Sequence, residues 1–137
     1  MNTIMLKELL IKHEGLRLKP YRDTVGKLTI GVGRNLEGVG ISQEEAFYLL
    51  DNDIRQVIQQ LDTIPIYSKL DPQKQIALAD MAFNLGFNGI LKFKRMWAAL
   101  ETADYVTATR EMLNSVWAEG APNRAQALMN LMSKHNE

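Results

Sequence analysis

Glu14-Gly15-Leu16-Arg17-Leu18-Lys19-Pro20-Tyr21-Arg22-Asp23-Thr24-Val25-Gly26-Lys27-Leu28-Thr29-Ile30-Gly31-Val32-Gly33 is the stretch in which the chain abandons a helical period. Leu16 to Lys19 alternates, Pro20 interrupts, Asp23 to Gly26 is a turn signal, and Lys27 to Gly33 alternates again, which predicts a β-hairpin. On its second strand Leu28, Ile30 and Val32 share one face, while Lys27, Thr29, Gly31 and Gly33 share the other. A face made of a hydroxyl and two glycines packs poorly against a core. It does let a ligand approach the backbone.

Upstream, residues 3–13 predict a helix, with Thr3 as its cap and Leu6, Leu9, Leu10 and His13 recurring at spacings of three and four. Gly15 suits the left-handed stop just beyond it. From Gly38 onward the chain reads as helical almost to its end. Ser42-Gln43-Glu44-Glu45 fits a capping box. The helix it opens, over residues 42–61, carries Phe47, Leu50, Ile54, Val57, Ile58 and Leu61 toward one side. Asp71-Pro72 is a second start signal. Residues 75–85 hold one charge, Asp80, which predicts a helix buried nearly all round. Gly86 and Gly89 bracket a turn, and further helices are expected over residues 93–100, 105–116 and 122–134. The sum is an α+β, mainly α chain: one short helix, a small hairpin lobe, and a bundle of about five helices.

With 137 residues the chain fits a single domain, 1–137, and its 46% hydrophobic content can build a core without staples. Sixteen Lys and Arg balance sixteen Asp and Glu, which argues against nucleic acid as a partner. The absence of cysteine excludes a disulfide framework and a thiolate nucleophile, and two distant histidines make a metal site improbable. No cofactor is expected. No N-terminal apolar run is longer than Leu9-Leu10-Ile11, which is flanked by Lys7, Glu8 and Lys12, so neither a signal peptide nor a stable membrane insertion is expected.

Glu14 ends a helix, Asp23 lies in the hairpin that follows, and Thr29 comes from its second strand, so the three can converge on one edge. A carboxylate at a helix C-terminus meets the negative end of the dipole, which suits a group that must hold a proton. Asp23, in a polar turn, should stay ionised. Two carboxyl groups of opposed tendency are what glycosidic cleavage requires. Capping and turn formation account for the same two residues equally well, and strand preference accounts for Thr29. Spacing alone leaves both readings open.

Glu14-Gly15-Leu16-Arg17-Leu18-Lys19, Tyr21, Asp23-Thr24, Gly26 and Thr29-Ile30-Gly31-Val32-Gly33 together resemble the phage-type lysozymes of glycoside hydrolase family 24. Ile41 to Ala46, Ala82-Phe83-Asn84-Leu85-Gly86, and Trp117 with Pro122-Asn123-Arg124-Ala125 extend the likeness over nearly the whole chain. The resemblance implies a lysozyme-like fold. Its hairpin lobe would cover residues 14–41, its interlobe helix 42–61, and its helical lobe 62–137 plus the helix over 3–13, with the active-site cleft between the lobes. It implies hydrolysis, with inversion, of the β-1,4 bond between N-acetylmuramic acid and N-acetylglucosamine in peptidoglycan. Glu14 matches the family's acid, Asp23 its second carboxylate, and Thr29 the residue that orients the attacking water. Gly31, Gly33, Leu36, Phe83 and Asn84 would contact the glycan strand, and Arg124 would face the acid. The implied enzyme is a monomer made in the host cytoplasm that acts on the periplasmic wall after release.

Two departures stand out. Arg34 follows Gly33 where relatives usually have histidine, so any ion pair there changes partner and no longer titrates near neutral pH. Only residues 35–40 separate Arg34 from the interlobe helix, so the small lobe should be little more than one hairpin. A lytic transglycosylase and a non-catalytic wall-binding or structural module are the alternatives. Elsewhere, Lys92, Lys94 and Arg95 read as a solvated basic face, Trp97 as core, Trp117 as a core-to-cleft border, and His13 as a packing or capping residue. The methionines read as gap-fillers, and His135 as part of a fraying tail.

Overall fold

A computed structural model describes residues 1–133, so Lys134 and His135 lie outside the described residues. Its contacts form two compact units, Met1–Tyr48 and Leu49–Glu137. The sequence reading grouped residues 3–13 with the later helices; the contacts group them with the sheet.

The first unit opens with α1 (Thr3–Glu14). Its cap is Asn2, not Thr3: the Asn2 side chain accepts from the Met5 N–H at 3.0 Å, and Thr3 is already helical. The helix stops where expected, at Gly15 with φ 78° and ψ 164°. There follow β1 (Arg17–Arg22), β2 (Leu28–Gly31) and β3 (Arg34–Asn35), an antiparallel sheet in that order. Pro20 sits inside β1 rather than ending it. The ladder tolerates it because the register shifts between Arg17 and Tyr21.

The small lobe therefore has a third strand beyond the expected hairpin. Val32 and Gly33 are not strand residues but the two-residue turn between β2 and β3. The expected face assignment also reverses. Thr29 is the one buried residue of β2, at 3% exposure, while Leu28 and Ile30 are half-buried. After β3 a tight loop is held by Asn35, whose carbonyl accepts from Val39 and Gly40 and whose side chain accepts from Gly38. The helix α2 (Gln43–Leu61) then begins with its capping box made. The Glu45 N–H donates to Ser42 Oγ, and the Ser42 N–H donates back to Glu45 Oε1.

In the second unit α3 (Pro72–Leu85) starts at the expected Asp71-Pro72, the Asp71 side chain accepting from the N–H groups of Gln73 and Lys74. It is two-faced rather than buried all round. Lys74, Ala77, Leu78, Met81 and Ala82 face inward, whereas Ile76 and Phe83 are exposed. The Gly86–Gly89 region is not a simple turn either. Gly86 ends α3, and α4 (Phe87–Leu91) takes in Gly89. Next come α5 (Lys94–Glu101), α6 (Tyr105–Leu113), α7 (Val116–Gly120) and α8 (Pro122–Ser133). The expected helix over 105–116 breaks at Asn114, because Ser115 turns its hydroxyl to the Ala118 N–H and caps a new helix.

The core joins Leu61, Leu78, Met81, Ile90, Met96, Leu100, Met112, Leu128 and Met132, so four of the methionines do fill it. Trp97 belongs to it too, its indole N–H satisfied by the Ile90 carbonyl at 3.0 Å. Lys92, Lys94 and Arg95 are exposed as expected. Composition gave no hint of Lys74. Its side chain is 1% exposed, its ammonium bonds Asp71 Oδ2 at 2.7 Å, and it lies 4.4 Å from the Tyr105 ring centre. Burial pushes the Asp71 carboxyl up, but the Lys74 ammonium and the capping N–H groups outweigh it and hold it below its usual range.

Removing one partner of a buried ion pair is costly. Asp71→Ala also deletes the α3 cap, and it should cost roughly 3–5 kcal/mol in urea unfolding followed by circular dichroism. A loss below about 1 kcal/mol would mean that Lys74 finds compensation elsewhere.

Candidate active site

The three residues singled out for catalysis all lie in the first unit. Glu14 is the last residue of α1 and is exposed. Its side chain lies over the backbone of Gly33: a Cβ built on Gly33 would stand 2.8 Å from Glu14 Oε2 and 3.1 Å from its Cδ. Gly33 also has φ 68°, a conformation that side chains disfavour. The expectation that Gly33 leaves an open face for a sugar is thus corrected, because the Glu14 carboxylate fills that space. Gly31 is different, with nothing within 4 Å of the corresponding point.

Asp23 and Thr29 meet on one peptide group. The Lys27 carbonyl accepts from the Asp23 N–H at 2.9 Å and from the Thr29 hydroxyl at 2.8 Å. Asp23 Oδ1 in turn accepts from the N–H groups of Val25 and Lys27, at 3.0 and 2.8 Å. The turn thereby fixes the carboxylate, and Oδ2 has no hydrogen-bond partner among the described residues. Thr29 has its proton committed to Lys27, so its oxygen has only acceptor capacity left to offer. Leu36 is half-buried, and its N–H donates to the Leu28 carbonyl.

Arg34 finds its changed partner in Glu45. Nη1 donates to Oε1 and Nη2 to Oε2, both at 2.9 Å, and Nη1 also reaches the Gly40 carbonyl at 3.0 Å. One carboxylate thus receives the guanidinium and closes the α2 capping box. The Arg34 guanidinium first, and then the Ser42 N–H, hold the Glu45 carboxyl down at about 2.

The remaining candidates lie in the second unit. Asn84 Oδ1 accepts from the Trp117 indole N–H at 2.8 Å, and Trp117 is half-buried and packs against the core. Arg124, expected to face the acid, donates from Nε to Asp80 Oδ1. Phe83, Asp80 and Arg124 line a largely apolar cavity of about 730 Å³ with Leu50, Ile54 and Ile76. The sequence had suggested neither the Asp80–Arg124 pair nor the Glu45 anchor. Glu45 could have been found from its double use, since a residue already fixed by a cap is a ready partner for Arg34.

The sequence profile of the phage lysozymes matches residues 11–135 of this mainly helical chain with its small antiparallel sheet. The chain belongs to the phage lysozyme family; it is a glycoside hydrolase of the lysozyme class that acts on peptidoglycan. It is 28% identical to "Probable T4-type lysozyme 1" of Dictyostelium discoideum, over 93% of this chain and 92% of that protein. It is 33% identical to the "SAR-endolysin" of Escherichia phage Mu, over 92% and 73%. It is 30% identical to the "Pre-baseplate central spike protein Gp5" of Enterobacteria phage T4, over 90% of this chain and 26% of that longer protein. Among the described residues no helix is long and apolar enough to cross a membrane.

A carboxyl held below its ordinary value stabilises the fold above that value and loses its contribution as pH falls through the folded one. The Arg34–Glu45 pair is therefore expected to be intact above pH 4.5 and undone as pH falls toward 2. Glu45→Gln should melt at a lower temperature than the parent at pH 6, with the gap closing between pH 4.5 and 2. A gap that does not change with pH would contradict the assignment.

Proposed function

We propose that the chain hydrolyses the β-1,4 bond between N-acetylmuramic acid and N-acetylglucosamine with inversion, as a monomer acting on the cell wall after release from the host cytoplasm. We assign Met1–Tyr48 and Leu49–Glu137 to the two lobes of one lysozyme domain. Glu14 protonates the departing glycosidic oxygen. Water attacks the opposite side of the sugar ring, giving a proton to Asp23 as its new bond to the anomeric carbon forms. Thr29 accepts a hydrogen bond from that water and so fixes its orientation. Gly31 and Leu36, together with Phe83, Asn84 and Arg124, are the residues proposed to contact the glycan strand.

The observation that carries this reading is the shared Lys27 carbonyl, which ties Asp23 and the Thr29 hydroxyl to one point. Inversion uses a base and a water-orienting group held in fixed relation, and this shared contact supports that reading. A second reading, lytic transglycosylase, is favoured by a different observation: Asp23 Oδ1 is already taken by two backbone N–H groups, as a purely structural aspartate would be. In that chemistry the glycan's own hydroxyl attacks, and no placed water is needed.

Glu14→Gln is expected to keep the fold and to lower wall lysis by a factor on the order of 10²–10⁴ in a turbidity assay on permeabilised cells. Mass spectrometry of the released muropeptides should find reducing ends. Undiminished lysis would remove Glu14 from the mechanism, and 1,6-anhydro ends would replace hydrolysis by the transglycosylase reading.

A further inference from the structure

Gly33 lies under the Glu14 carboxylate, and the next residue, Arg34, is clamped to the first turn of α2. We infer that the Arg34–Glu45 pair is a positioning device for Glu14, holding the Val32–Gly33 turn at the depth that fixes where the acid's carboxyl lies. The inference rests on the assignment of Glu14 as the acid.

Magnitudes separate this role from a stabilising one. Both side chains are about two-fifths exposed, at 37% and 43%, and ion pairs so placed contribute little to stability. Stability alone is a weak reason for the arrangement. Its geometry is another matter. A planar fork with two parallel bonds fixes direction as well as distance. The third bond, from Arg34 to the Gly40 carbonyl, closes the loop after β3 onto the same guanidinium. Glu45 is itself held by the Ser42 N–H, so the anchor does not swing. The path from α2 to the acid is therefore short: Glu45, Arg34, the Gly33 backbone, Glu14. Every link lies within Met1–Tyr48. An arginine keeps its charge throughout the pH range in which a lysozyme could work, so the device does not release as a histidine would.

The test compares Arg34→Gln, Glu45→Gln and Ser42→Ala on soluble glycan-strand fragments, at a temperature where circular dichroism finds each folded. Glu45→Gln keeps an amide oxygen for the Ser42 N–H but removes the charge. Ser42→Ala breaks the cap and leaves the ion pair. A positioning role predicts that the first two lower kcat on the order of 10–10²-fold with KM within about twofold, as misplacement of a reacting group does. It predicts that Ser42→Ala lowers Tm but leaves kcat at the parent value. Parent-like kcat in both Arg34→Gln and Glu45→Gln would overturn the inference, as would an equal loss of kcat in Ser42→Ala. Glu14→Gln measured alongside keeps the two questions apart. If it retains full turnover, the assignment of the acid fails; if it is inactive while the charge variants are not, only the positioning role fails.

Discussion

One close approach organises the first unit: the carboxylate of Glu14 occupies the space in which a side chain at position 33 would stand. Gly33 therefore meets two demands at once, a backbone φ of 68° and a surface without a Cβ. The β2–β3 turn and the Arg34–Glu45 fork then follow as a chain of supports. Each is modest in energy, as half-exposed polar contacts are. In the proposed mechanism they decide where the proton donor sits, and for catalysis an ångström of misplacement matters more than a small change in stability.

The second unit is built on a different kind of constraint. Its core is apolar and rich in methionine, yet a lysine lies wholly within it. Lys74 is tolerable there because Asp71, three residues earlier, supplies a counter-charge and the Tyr105 ring supplies a face for the ammonium. Asp71 also caps α3, so helix initiation and charge burial depend on one side chain.

What was legible in the sequence was local. Ser42 with Glu45 and Asp71 with Pro72 marked helix starts to within a residue, because a cap is a contact between groups three positions apart. The likeness carried by Glu14, Asp23, Thr29 and the glycines between identified the family. Contacts between distant positions were not legible. Alternation placed Val32 and Gly33 on a strand, since nothing in a period-two pattern reveals a positive φ. Gly33 was read as open, because only the folded chain brings Glu14 to it. Lys74 was missed because burial of a charge depends on its partners, not on its type. The break at Asn114 was masked by apolar spacing that continues through it, although Ser115 carried a cap signal.

If Glu14 is the acid, Gly33 serves turnover by leaving room for its carboxylate, and a double-mutant cycle between the two isolates that effect. Turnover of Gly33→Ala, Glu14→Gln and the pair would be compared with the parent on soluble glycan fragments, all folded at the assay temperature. If the methyl group acts by displacing the acid, Gly33→Ala lowers kcat on the order of 10-fold or more alone and adds almost nothing once Glu14 is glutamine. Losses that multiply in full, or a Gly33→Ala enzyme that turns over like the parent, would show that position 33 does not act through the carboxylate.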